Sequence, residues 1–215
     1  MSRTVHLAAD CEPGLKKWFS EKGFEVESVR TEGIVSVPVS NHPDMFMCKM
    51  GCAEDSEIVP ADFSVLSPDY PHDIAYNAAC TGRFFIHNLR YTAPELMARA
   101  TDLGMTPVNV RQGYAKCSIV IVDEDSIITY DQGIASACKD AGIDVLTVEP
   151  GHVLLPGYNT GFIGGASGRI GNTVYFNGDL TAHPDCGRII EFIEARGLKV
   201  KWFSEWPLTD IGSII

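Results

Sequence analysis

The chain of 215 residues carries 17 basic and 28 acidic residues, a formal net charge of −11, with 45% apolar and 21% charged residues. This balance suits one globular domain spanning residues 1–215 and argues against nucleic acid or an anionic membrane as a general partner. No apolar leader core or membrane-length apolar run is present, and seven scattered cysteines read as free thiols of a reducing, cytoplasmic compartment.

In chain order, a first strand (TVHLAAD, from Thr4) precedes an amphipathic helix that ends at Gly23, and the alternating segment FEVESV follows as a strand. The same succession recurs as RFFIHN, a helix to Gly104 and PVNV; as SIITYD, a helix to Gly142 and DVLTV; and as TVYFNGD, a helix to Gly197 and LKVKW. Each glycine is expected in the left-handed position that lets a helix turn sharply into a strand. The glycines lie 81, 38 and 55 residues apart, so the long first interval predicts a fifth, degenerate unit between Cys52 and Tyr70. A further strand such as CSIVIVD precedes the next repeat as one arm of a hairpin, and the segment DIGSII ends the chain as a bare arm. Five ββαβ-type units with pseudo-fivefold symmetry, closed into a ring whose termini meet at a split hairpin, are the expected arrangement. A doubly wound open sheet is the alternative, although no phosphate-binding glycine loop joins a first strand to its helix.

In such a ring the segments leading into the hairpins face one axis. They read NHPDMFM (41–47), YAKCSIV (114–120), NTGFIGG (159–165) and LTDIGSI (208–214). Cys117, His42 and Asp210 therefore form a candidate nucleophile, acid/base and orienting carboxylate, with Asp44 beside them. Taken singly, each has a plainer reading: a core thiol, a turn histidine and a capping aspartate. Cys48 and Cys52, spaced C-x3-C with His42 upstream, read as ordinary half-buried thiols, and neither a metal nor a cofactor is expected.

The segments HPDMFMCKMG, PHDIAYNAACTGRFFIHN and MTPVNVRQGYAKCSIVIV, between His42 and Val122, resemble the guanidine-modifying (pentein) superfamily, in particular dimethylarginine dimethylaminohydrolase and arginine deiminase. The resemblance implies a five-bladed α/β propeller. It implies Cys117 as nucleophile, His42 as acid/base and Asp44 as the carboxylate that holds the guanidinium. The family's acidic residue and following strand match TDIGSII at the far end, so the chain resembles a circular permutant with Asp210 as the orienting acid. Where the family places Glu-Asp, this chain has Gly164-Gly165, and with Asn159 these make up the rest of the expected substrate-binding set. One carboxylate fewer implies weak binding of free arginine, unless Asp73 or Asp10 substitutes. The expected function is a cysteine-dependent hydrolase or amidinotransferase acting on a small guanidine or amidine. The alternative is a non-catalytic binding module of the same fold.

Overall fold

The computed structural model describes residues 3–215. Strand β1 (Arg3–Ala8), helix α1 (Pro13–Glu21) and strand β2 (Phe24–Val29) come first. A one-turn helix α2 (Pro43–Phe46) leads into β3 (Met47–Lys49) and β4 (Ile58–Pro60). Next come β5 (Ala79–Cys80), β6 (Phe84–His87), α3 (Pro94–Asp102) and β7 (Thr106–Asn109). A second one-turn helix α4 (Ala115–Ser118) precedes β8 (Val120–Ile121), β9 (Ser126–Thr129), α5 (Gln132–Asp140) and β10 (Asp144–Thr147). Strands β11 (Ser167–Ile170) and β12 (Thr173–Phe176), helix α6 (Cys186–Glu194) and β13 (Lys199–Lys201) complete the order.

The result is a mixed α/β protein in which the described strands form five small sheets rather than one continuous sheet. In three of them an antiparallel strand and a parallel strand flank a central one: β5-β6-β7, β8-β9-β10 and β11-β12-β13. The parallel strand follows a helix each time, and the helix-ending glycines adopt the predicted conformation. Gly23, Gly104, Gly142 and Gly197 have φ of +82°, +69°, +86° and +71°. Helix starts are equally local in origin: Pro13 and Pro94 occupy first-turn positions, and the Asp131 carboxylate accepts from the Ile134 amide at 2.9 Å. No described helix is long and apolar enough to cross a membrane.

Between Cys52 and Tyr70, where a degenerate unit is expected, lie β4, paired antiparallel with the earlier β3, and a 3-10 turn (Phe63–Val65) in place of a helix. The predicted strand at 210–215 differs: these residues form no ladder, and the chain bends at Gly212, whose amide donates to the Asp210 carboxylate at 3.0 Å. Even so, Ile215 exchanges both backbone hydrogen bonds with His6 of β1, at 2.6 and 3.3 Å.

Apolar packing is shared between sheets. Phe84, Ile86 and Val108 pack with Ile127, Ile134 and Cys138, while Val120 and Ile128 pack with Val174, Phe176 and Ile189. Leu15 and Phe19 of α1, one turn apart and fully buried, join Tyr175 and Phe203 across sheets. Burying each such side chain contributes about 1.5–3 kcal/mol. Between these clusters the lead-in segments touch one another directly. The Asp44 amide donates to the Gly212 carbonyl, Ser213 to Gly165, Gly165 to Cys117 and Lys116 to Asn77, and the Asn77 side chain donates to the Asp44 carbonyl.

Candidate active site

His42 and Cys117 are delivered by the two one-turn helices. His42 sits in extended backbone just ahead of Pro43, whose fixed φ starts the turn of α2, and Asp44 lies in that turn. Cys117 lies within α4, rather than at the head of a strand as its apolar neighbours suggest. His42, Asp44, Cys117 and Asp210 are all buried, at 4%, 1%, 2% and 3% exposure.

The ligand-capable atoms of His42, Asp44 and Cys117 lie within 4.8 Å of one another. The thiol donates to Asp44 Oδ2 at 3.2 Å, and the same oxygen accepts from the Ser213 hydroxyl at 2.7 Å. Asp210 Oδ1 stands 3.8 Å from His42 Nδ1, beyond hydrogen-bond length, and that nitrogen has no hydrogen-bond partner. Both Asp210 oxygens already accept from backbone, Oδ2 from Phe162 at 2.9 Å and Oδ1 from Gly212 at 3.0 Å. These bonds fix the carboxylate beside the imidazole. Three of the four groups (His42, Cys117 and Asp210) open onto a cavity of about 200 Å³.

Burial sets the charge state of this cluster. Desolvation, and then the neighbouring Asp44 and Asp210, push the Cys117 thiol well above its ordinary range. Desolvation lowers the imidazole of His42 and raises Asp44, while Asp210 is raised to about 6. Burial therefore favours the thiol and the neutral imidazole, next to two carboxyl groups. A cation placed among them favours ionisation of both the thiol and the carboxyls.

Gly164 and Gly165 do not line the cavity; they form the junction beneath it. A Cβ at Gly164 would meet the backbone of Cys117 and Ile119, and one at Gly165 would meet the Asp210 carboxylate. The space for a side chain at 165 is thus taken by Asp210 itself. Asn159 is exposed and absent from the cavity wall, although Tyr158 and Thr160 on either side line it. Asp73 lies behind Tyr114, accepting its hydroxyl at 2.6 Å. Asp10 is exposed, on the rim of a separate cleft shared with His42 and Asp210. Cys48 and Cys52 are buried rather than half-buried, and Cys48 Sγ approaches Cys80 Sγ at 3.5 Å.

Three participants escape the sequence pattern. Asn77 donates to Cys117 Sγ at 3.2 Å and accepts from the Lys116 and Cys117 amides at 2.9 and 3.3 Å. Lys116 Nζ donates to the Ser213 hydroxyl at 2.7 Å, so a continuous chain runs from Lys116 through Ser213 to Asp44. Ser213, fully buried, has φ of +75° and is the one non-glycine residue with positive φ among those described. Strain of this kind gathers at functional sites.

No curated protein matches the sequence. A family profile described as a family of unknown function (DUF6873) matches residues 54–215. The matched span includes Asn77, Lys116, Cys117, Asp210 and Ser213 and begins beyond His42 and Asp44. The chain therefore belongs to that family, DUF6873.

Proposed function

We propose that the protein is a cysteine-dependent hydrolase, or an amidinotransferase, acting on a C–N bond of a guanidine or amidine, within a circularly permuted five-bladed α/β propeller. The propeller reading is supported by the hydrogen-bonded lead-in segments, which succeed one another from Asp44 through Gly212, Gly165, Cys117 and Asn77 back to Asp44. The catalytic reading rests on one observation. The thiol of Cys117 lies within 4.8 Å of an imidazole and a carboxylate that a distant segment supplies together, His42 and Asp44, with a second carboxylate from a third segment, Asp210, beside the imidazole.

Asp44 lies behind the cavity wall, and a bound amidinium would engage its Oδ1, which has no hydrogen-bond partner, and supply the positive charge that favours the thiolate. Cys117 passes its proton to His42, and Sγ adds to the central carbon, forming a C–S bond as the C=N π electrons move to nitrogen. The resulting imidazolium, held by Asp210, gives the proton to the departing nitrogen as its C–N bond breaks. His42 then takes a proton from water, or from an acceptor amine, as that nucleophile attacks and the C–S bond breaks.

The test is covalent trapping. Chloroacetamidine should alkylate Cys117 with loss of chloride, and its neutral isostere chloroacetamide should do so at least tenfold more slowly relative to their rates with free thiols. Equal relative rates, or modification of other cysteines alone, would remove the catalytic reading and leave a non-catalytic binding module. A second reading is favoured by the same three donors: imidazole, carboxylate and thiolate are a set that zinc accepts. Stoichiometric zinc that shields Cys117 from alkylation until a chelator is added would establish it.

A further inference from the structure

The walls of the cavity say more about the substrate than its floor does. Above His42, Cys117 and Asp210 stand Tyr114, Tyr130, Tyr158 and Phe162, with Val39 and Leu155 completing the apolar lining. Tyr130 and Phe162 stack with centroids 6.0 Å apart and planes 5° from parallel, and Tyr114 continues the row at 6.1 Å from Phe162. The Tyr114 hydroxyl is committed to Asp73 and the Thr160 hydroxyl to backbone carbonyls. No lysine or arginine lines the cavity. Tyr158, 53% exposed, stands at its mouth.

Resting on the catalytic reading above, we propose that the substrate carries its guanidine or amidine on a short alkyl chain or a single aromatic ring, with no carboxylate. A substrate carboxylate would be desolvated against aromatic faces, whose electron density is negative, and would lie near Asp210 without a counter-charge. A flat or cationic body is favoured by the same faces. The size agrees: an apolar cavity of roughly 150 Å³ accommodates benzene, and this one is about 200 Å³. Free amino acids bearing a guanidine are therefore poor ligands for a second reason, independent of the glycine pair.

Three chloroacetamidines test this on the full chain: the parent, its N-benzyl derivative and its N-carboxymethyl derivative. Rates of Cys117 modification are read by intact-protein mass spectrometry with peptide mapping and normalised to rates with free glutathione. The benzyl reagent should exceed the parent at least tenfold, and the carboxymethyl reagent should fall below it. In Tyr158→Ala, an exposed position, the benzyl advantage should shrink several-fold. A carboxymethyl reagent that matches or exceeds the benzyl one overturns the inference while the catalytic reading stands. If none of the three modifies Cys117, the catalytic reading fails and the inference falls with it.

Discussion

The carboxamide of Asn77 grips Cys117 at both ends, donating to its sulfur at 3.2 Å and accepting from its backbone amide at 3.3 Å. That donation is a hydrogen-bonding influence that favours the thiolate against desolvation and the two carboxyls. Asn77→Ala should move the pH profile of Cys117 alkylation to higher pH and slow the reaction several-fold at pH 8. It should also cost about 1–3 kcal/mol of stability, because the amides of Lys116 and Cys117 lose a buried partner. A stability loss with an unmoved alkylation profile would reduce Asn77 to a purely structural role.

Lys116 acts on Asp44 from behind. Its charge lowers Asp44, opposing the rise caused by burial. Lys116→Met removes that influence, so Asp44 stays protonated to higher pH and holds a cationic substrate less well below it. The expected signature is a higher KM whose acid limb moves upward in pH, with kcat changing less. A fall in kcat at constant KM would contradict the assignment.

Asp210 and His42 pull the stability profile in opposite directions. Asp210, raised to about 6 when folded, destabilises the native state above that pH and ceases to do so as pH falls toward its unfolded value. A shift of this size corresponds to about 3 kcal/mol. His42 is lowered, so below its ordinary range the unfolded chain takes up a proton that the native site resists, and stability is lost. Urea unfolding at pH 4 and pH 7 should show the gap between wild type and Asp210→Asn changing by about 2 kcal/mol, less than the full shift because the unfolded carboxyl is already partly ionised at pH 4, with wild type relatively better at pH 4. A gap independent of pH would refute the charge assignment.

Two glycine-to-alanine substitutions should have opposite signs. At Gly164 the added methyl meets the backbone of Cys117 and Ile119, which cannot step aside. The cost should be at least about 1–3 kcal/mol. Gly187 lies in α6 with open space around its Cβ position and no positive φ. Alanine there should stabilise the protein by about 0.5–1 kcal/mol. Thermal melting of both variants checks the pair.

What could be read from the sequence follows from how local each cause is. The helix-ending glycines declare themselves because a sharp helix-to-strand turn needs left-handed backbone, and the repeat they mark placed the segments containing His42, Cys117 and Asp210. Asn77 stayed hidden because it lies in the stretch before β5, where the degenerate unit has no helix to carry the pattern. Lys116 looks like a surface residue until its ammonium is seen bonded to Ser213. The aromatic walls come from three separate segments around 114, 130 and 158–162, a convergence that no spacing announces. The one-turn helices at Pro43 and Ala115 are too short for any periodicity to register.

Ser213 sets backbone strain against a buried hydrogen-bonded bridge. Its left-handed backbone costs on the order of 1 kcal/mol, which glycine would recover. Yet the hydroxyl is the sole hydrogen-bonded bridge between Lys116 and Asp44 among the described residues. Glycine at 213 would shed that strain and strand the buried ammonium and carboxylate on either side of it, a loss of about 1–3 kcal/mol, so the strained serine is the conformation the fold keeps.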